Sequence, residues 1–96
     1  MADKLNEESI QGWIESRRGW KLKDRSVTKE FKFPSFRSAI VFVNRIATLA
    51  DEQNHHPDID VRYDMVRIAL TTHDAGGITE NDLRMAEQID FATSAR

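Results

Sequence analysis

The sequence predicts an α+β fold in which three helices pack on one face of a four-stranded antiparallel sheet, in the order α-β-β-α-β-β-α. Three segments repeat apolar residues at steps of three and four, and four short segments alternate apolar with polar residues. The alternating segments are apolar on one side only, which is typical of an antiparallel sheet covered on one face. At 96 residues, 40% of them hydrophobic, residues 1–96 are expected to form a single domain.

The first helix is predicted in LNEESIQGWIES, residues 5–16, where Asn6 is a candidate N-cap. It should stop near Gly19, because glycine commonly follows the end of a helix. Residues 20–33 then alternate apolar with polar side chains around a turn at residues 24–25. We therefore expect a hairpin of two strands after the first helix.

The main core helix is predicted from Phe36 to about Asn54, after the break at Pro34. Its apolar stripe is expected to comprise Phe36, Ala39, Ile40, Val43, Ile46, Ala47, Leu49 and Ala50. A second hairpin is predicted from the alternation within residues 59–63 and 66–72, which flank a turn near Asp64. Tyr63 falls in the apolar phase of the first of these strands and is expected to pack there.

The last helix has a complete start signal. Gly76 and Gly77 end the preceding hairpin, and Thr79 is then a candidate N-cap with Asp82 three residues further on. This spacing matches a capping box, in which each side chain bonds the other residue's backbone N–H. A helix is therefore predicted to begin directly after Thr79.

Charge and composition exclude several classes of function. The net charge is −2, so nucleic acid is not expected as a partner, although residues 17–32 carry seven Lys or Arg against two acids. This basic stretch could bind a polyanion or form a solvated strand face, and the acids within it favour the second reading. There is no cysteine, the first fifteen residues have no apolar run that could act as a signal sequence, and no apolar run is long enough to span a membrane. We expect a cytoplasmic protein.

A four-stranded sheet of this kind leaves two strand edges without partners. Small proteins commonly protect such an edge by pairing it with a second copy across a two-fold axis. The chain is therefore expected to form a homodimer, or a homotetramer if helices pair as well.

The three histidines should gather at one end of the sheet. His55 and His56 stand before Pro57, in the turn that leads from the core helix into the second hairpin, and His73 ends that hairpin. Pairing of the two strands would bring these ends together, and Asp82 can reach the same place. Asp51, one turn before the histidine pair, completes the group.

Three interpretations of this group remain open on the residues alone. The first is a set of surface histidines without a special role. The second is a metal site made of two histidines and a carboxylate, although the short ligand spacings that make such assignments strong are missing. The third is acid and base catalysis, because the ordinary pKa of histidine lets it donate and accept protons at neutral pH.

Residues 51–83, DEQNHHPDIDVRYDMVRIALTTHDAGGITENDL, resemble the signature of the pterin-4a-carbinolamine dehydratase family. The signature combines an acidic residue, a His-His-Pro, an aromatic, a later histidine and an aspartate. The matching positions are Asp51, His55, His56, Pro57, Tyr63, His73 and Asp82. The resemblance extends over the rest of the chain, with Ile59 where the family commonly has tryptophan.

The resemblance implies a hydro-lyase that needs neither metal nor cofactor and converts 4a-hydroxytetrahydrobiopterin into quinonoid dihydropterin and water. His55 and His73 would then be the acid and base, and His56 would orient the pterin. The further substrate contacts implied are Asp51, Pro57, Thr72 and Asp82. The alternatives that the family offers are a pterin-binding or molybdopterin-related protein with little turnover and a dimerisation cofactor of a transcription factor.

Overall fold

Three helices and four strands make up the computed structural model, which describes residues 3–94, and they follow the predicted order. The helices are α1 (Glu7–Glu15), α2 (Phe36–Gln53) and α3 (Glu80–Ser94). The strands are β1 (Lys21–Lys23), β2 (Ser26–Lys32), β3 (Asp58–Arg62) and β4 (Met65–Leu70). The predicted α+β class and element order are confirmed.

The two hairpins join into one antiparallel sheet of order β1-β2-β4-β3. Its centre is the β2–β4 pair, in which Val27 lies opposite Leu70 and Phe31 opposite Val66. On the other side of β4, Asp58 of β3 lies opposite Ala69. The carboxyl end of β4 therefore lies beside the beginning of β3, as the site prediction requires.

One face of the sheet carries the core, and all three helices pack against it. Its central residues are fully buried aliphatic side chains of β2 and β4 such as Val27 and Ile68. The helices contribute Ile10, Ala39, Phe42, Ile46, Met85, Ala86 and Ile89. The side chains that alternate with the buried ones of β2 and β4 include Glu30 and Arg67, together with Met65 and Ala69, so the buried residues of each strand lie on one face as predicted.

The buried stripe of α2 differs from the predicted one. Phe42, which the prediction left out, is 2% exposed, and its ring centroid lies 4.9 Å from those of Phe31 and Phe33. Phe36 is 51% exposed at the first residue of the helix, and Ala47 is exposed as well. The sequence offers two overlapping stripes on this apolar helix, and packing against Phe31 of β2 and Phe33 directly after it selects the stripe that contains Phe42.

The predicted strand position of Tyr63 is wrong. This residue lies in the turn between β3 and β4 with a φ of 53°, and its side chain is 71% exposed. A two-residue connection requires this left-handed backbone, which turns the side chain away from the sheet.

A buried tryptophan and a lysine hold α3 over the sheet. The Trp20 indole N–H donates to Asp90 Oδ2 at 2.8 Å, and Lys29 Nζ binds Asp90 Oδ1 at 2.7 Å. The Lys29 ammonium group also lies 5.8 Å from the Trp20 ring centroid and 5.0 Å from that of Phe31. The α3 carboxylate thus compensates the one charge that β2 points toward the core.

A similar contact joins α1 to α3 nearer the surface. The Trp13 indole N–H donates to Glu87 Oε2 at 2.9 Å, and Arg17 Nη2 donates to the same oxygen at 2.7 Å. The Trp13 hydrogen bond and then the Arg17 hydrogen bond hold the pKa of the Glu87 carboxyl below its usual value. Both bonds favour the ionised carboxylate.

Replacing Glu87 by glutamine should therefore lower the free energy of unfolding at neutral pH and have less effect in acid. The lowered pKa means that the native state gains stability from ionised Glu87 above the carboxyl's ordinary pKa and loses it as the pH falls through the native pKa. Urea unfolding between pH 7 and pH 3 measures this. Glu52→Gln, an exposed carboxylate on α2, is the control. Equal pH profiles for both variants would contradict the expectation.

Candidate active site

The end of α2 aims the two adjacent histidines in different directions. Asn54 caps the helix with a left-handed backbone (φ 50°, ψ 44°), and its N–H donates to the carbonyls of Ala50 and Asp51. Asparagine tolerates this conformation better than most residues. The chain therefore leaves the helix sharply, so that His55 is turned inward and half-buried while His56 is exposed.

The end of β4 differs in detail from its prediction. The regular strand stops at Leu70, and Thr72 forms an isolated bridge with Gly77. His73 does not end a strand but begins a short 3₁₀ turn, His73–Ala75. Gly76 closes that turn with a φ of 78°, a backbone that glycine adopts without strain. The turn leaves the His73 side chain exposed.

Asp82, in the first turn of α3, is the centre of the buried part of the site. Its side chain has no exposed surface, and His55 Nε2 lies 2.6 Å from its Oδ1. The Thr72 hydroxyl donates to its Oδ2 at 2.7 Å, and the Thr79 backbone N–H donates to the same oxygen at 2.8 Å. The last of these bonds forms one half of the predicted capping box, whereas the Thr79 hydroxyl accepts from the Asn81 N–H and not from that of Asp82. The other two bonds join segments that are distant in sequence.

His56 has a carboxylate partner of its own, but in solvent. Its Nε2 lies 3.0 Å from Asp51 Oδ1, and the two side chains are 59% and 79% exposed. An ion pair of this exposure contributes little stability and does not fix the ring. His56 is consequently free to reorient, whereas His55 is held.

The structure thus brings together His55, Thr72 and Asp82 in one hydrogen-bonded group, with His73 attached through the backbone of Thr72. Asp51 and His56, which flank His55 in the chain, form a second and exposed pair. Pro57 lies between this pair and the first residue of β3 and is half-buried. The group offers two histidines from separate segments, one fixed and one open to solvent, which is an arrangement suited to moving protons.

The site prediction did not include Thr79. This residue is fully buried, and its hydroxyl lies 2.8 Å from that of Thr72. The capping-box spacing identified Thr79 as a helix cap, but only the fold shows that the same residue supports the carboxylate beneath His55.

Within residues 3–94, no group of three or more His, Cys, Asp or Glu side chains is arranged to hold a metal ion. In the same range, no helix is long and apolar enough to cross a membrane. His55 and His56 are each paired with a single carboxylate instead.

The sequence matches the family model described as Pterin 4 alpha carbinolamine dehydratase over residues 3–92. A curated relative from Chloroflexus aurantiacus is 46% identical over 87 residues, which are 91% of this chain and 94% of the relative. A relative from Herpetosiphon aurantiacus is 49% identical over 86 residues, 90% of each chain. The names of both assign them provisionally as pterin-4-alpha-carbinolamine dehydratases.

Two solved structures share the fold. A protein from Brucella melitensis, described as a transcriptional coactivator/pterin dehydratase, superposes with a TM-score of 0.89 at 30% identity, covering 94% of this chain and 98% of its own. A pterin dehydratase-like protein described as a RuBisCO assembly factor in the alpha-carboxysome superposes with a TM-score of 0.67 at 24% identity, covering 79% of this chain and 90% of its own. The second likeness concerns the fold alone.

The two carboxylates that bind histidines should differ sharply in their importance for stability. Asp82→Ala removes the acceptor of three donors inside the protein, and we expect it to lower the free energy of unfolding by about 2–4 kcal/mol. Asp51→Ala removes an exposed partner and should cost less than about 0.5 kcal/mol. Urea denaturation at pH 7 compares the variants. Similar losses for both would contradict the central place given to Asp82.

Proposed function

The chain belongs to the pterin 4 alpha carbinolamine dehydratase family, and on that premise we propose that it removes water from 4a-hydroxytetrahydropterin to give quinonoid dihydropterin. The observation that carries the proposal is the pairing of His55 with fully buried Asp82, whose other oxygen accepts from Thr72, the residue directly before exposed His73. A solvated histidine group without a role has no need of a buried carboxylate, which is costly to place.

The reaction needs one group that gives a proton and one that takes a proton. The 4a-hydroxyl leaves poorly as hydroxide and must be protonated as the C4a–O bond breaks. The N5 proton is removed while the electrons of the N5–H bond form the new C=N bond. Two groups at different positions around the flat ring meet both needs, and histidine can fill either role near neutral pH.

We assign the acid and base roles to His55 and His73 and the orienting role to His56. His55 and His73 come from separate segments, the turn after α2 and the 3₁₀ turn after β4, so they can contact different parts of one ring. His56 is the immediate neighbour of His55 and points into solvent with Asp51. Its mobility suits a group that adjusts to the bound pterin better than one that transfers a proton at a fixed position.

The four further residues expected to touch substrate divide into two kinds. Asp51 is exposed and Pro57 half-buried beside the histidines, and both are proposed as substrate contacts. The two oxygens of Asp82 are bonded to protein donors and shielded from solvent, so we propose that Asp82 acts on the pterin only through His55. Thr72 points its hydroxyl toward Asp82 and belongs with it.

We further propose that the protein works in the cytoplasm as an assembly of two or four copies. The β3 edge, residues 58–62, carries Asp58 at one end and Arg62 at the other. Antiparallel pairing of two such edges would place each Asp58 opposite an Arg62, a favourable cross-strand pair. Asp60 would lie at the two-fold axis, opposite Asp60 of the second copy. Its negative charge is compensated within its own chain by Arg67, which lies 3.3 Å away.

A second pairing through helices is proposed to give the tetramer. A groove of about 500 Å³ runs between α2 and α3, and Phe91 on its rim is 75% exposed. The groove also carries Arg45 and Arg84 together with Glu52 and Glu87. Opposite charges around an apolar centre are complementary to the same surface on a second copy.

Replacement of either His55 or His73 by alanine should lower kcat by about 10- to 1,000-fold, because each removes one proton-transfer group. His56→Ala should act chiefly on KM. The double variant with both His55→Ala and His73→Ala should retain little rate above the spontaneous dehydration. Stopped-flow measurement with freshly generated 4a-hydroxytetrahydropterin gives these constants, with a chelator present throughout because the mechanism needs no metal.

Circular dichroism of each variant controls for folding. A folded double variant that keeps a near wild-type kcat would remove both histidines from the mechanism. Loss of wild-type activity on chelation, with recovery on adding a metal, would contradict a reaction carried by histidines alone.

Sedimentation velocity at micromolar concentration should show a dimer or tetramer. Arg62→Glu places like charges opposite each other in the proposed edge pairing and should shift the distribution toward single chains. Arg25→Glu, the same change of charge in the exposed turn between β1 and β2, is the control. A wild-type protein that sediments only as single chains would refute the assembly, and equal behaviour of both variants would refute the β3 interface.

A further inference from the structure

The carboxylate of Asp82 accepts from three directions and has nothing to donate. The oxygens of a carboxylate group only accept hydrogen bonds. The first turn of α3 favours the negative charge there through the helix dipole and the Thr79 N–H. His55 Nε2, 2.6 Å from Oδ1, must therefore carry a hydrogen.

The donor and acceptor roles of the two threonine hydroxyl groups beneath the carboxylate follow in the same way. Thr72 has one hydroxyl hydrogen and gives it to Asp82 Oδ2 at 2.7 Å. The Thr79 hydroxyl, 2.8 Å from that of Thr72, must then be the donor between the two. The Asn81 backbone N–H in turn donates to the Thr79 oxygen at 3.2 Å. All donors in this chain of hydrogen bonds point toward Asp82.

We propose that Thr72 is a positioning residue for the dehydration. Its hydroxyl fixes Asp82 so that His55 keeps its hydrogen on Nε2 and presents Nδ1 as the nitrogen that exchanges a proton with the pterin. The proposal rests on the function proposed above. It adds that Nδ1 of His55 is the reactive atom and that Thr72, through Asp82, determines which ring nitrogen of His55 carries the hydrogen. Thr72 does not touch the substrate in this scheme.

The same residue also supports the turn that carries His73. The Thr72 carbonyl accepts from the backbone N–H groups of Ala75, Gly76 and Gly77 at 3.1, 3.1 and 3.3 Å, and its own N–H donates to the Gly77 carbonyl at 3.0 Å. Thr72 is therefore linked to both halves of the site, to His55 through the Asp82 carboxylate that its hydroxyl binds and to the His73 turn through its own backbone. A change of the side chain alone leaves the backbone contacts in place, so the two effects can be separated.

The test compares Thr72→Val, which keeps the shape and removes the hydroxyl, with Thr72→Ser, which keeps the hydroxyl. Thr71→Val is the matched control, because among residues 3–94 the Thr71 hydroxyl has no hydrogen-bond partner. The ¹⁵N chemical shifts of His55, recorded without substrate, report which ring nitrogen carries the hydrogen. We expect the Nε2–H form in the wild type, Thr72→Ser and Thr71→Val, and a mixture of both forms in Thr72→Val.

Stopped-flow dehydration supplies the second readout. Thr72→Val should lower kcat by about 10- to 150-fold, the effect of losing one hydrogen bond to a charged group, and leave KM within about twofold. In a His55→Ala background the same change should have no further effect, since Thr72 acts through His55. If Thr72→Val does not fold, Thr72→Cys, a weak donor of similar shape, takes its place.

Three results would overturn the proposal: an Nδ1–H form of His55 in the wild type, an unchanged tautomer in Thr72→Val, or an equal loss of kcat with and without His55. If the wild type does not accelerate dehydration at all, the proposed function fails, but the spectra still decide whether Thr72 sets the tautomer.

Discussion

The buried carboxylate of Asp82 is the group on which the rest of the site depends. A carboxylate without exposed surface is tolerated only if hydrogen-bond donors replace the water that it has lost. Those donors come from the start of α3, from the end of β4 and from the turn after α2. One electrostatic requirement thus makes three distant segments converge at a single point at the end of the sheet. The helices and strands act as the frame that keeps these three segments within hydrogen-bonding distance.

The same constraint explains why two adjacent histidines occur together. The left-handed turn at Asn54 gives them different surroundings, one ring held on a buried carboxylate and the other paired loosely with Asp51 in solvent. A proton-transferring group benefits from a fixed position, because its contribution depends on alignment with the reacting atom. A group that receives a substrate benefits from mobility. Adjacent residues of one type can therefore divide two tasks between them.

Local rules in the sequence predicted the elements and the bond from the Thr79 N–H to Asp82 at the start of α3, because caps and alternation depend on residues within one turn or strand. These local rules failed where contacts between residues distant in sequence determine the local structure. The burial of Phe42 depends on Phe31 and Phe33, and the 3₁₀ turn at His73 depends on the bridge between Thr72 and Gly77. The bonds of His55 and Thr72 to Asp82 likewise join residues 27 and 10 positions apart, which no pattern within one element could predict.

The measurement that tests the account most directly is the dehydration of 4a-hydroxytetrahydropterin by the wild-type protein, followed by stopped-flow absorbance as the enzyme concentration is raised. If His55 and His73 act as acid and base, the rate of quinonoid dihydropterin formation should rise in proportion to the protein and exceed the spontaneous rate at every concentration. A rate that stays at the spontaneous value, with folded protein in excess over the pterin, would contradict the assignment of this chain as a working dehydratase.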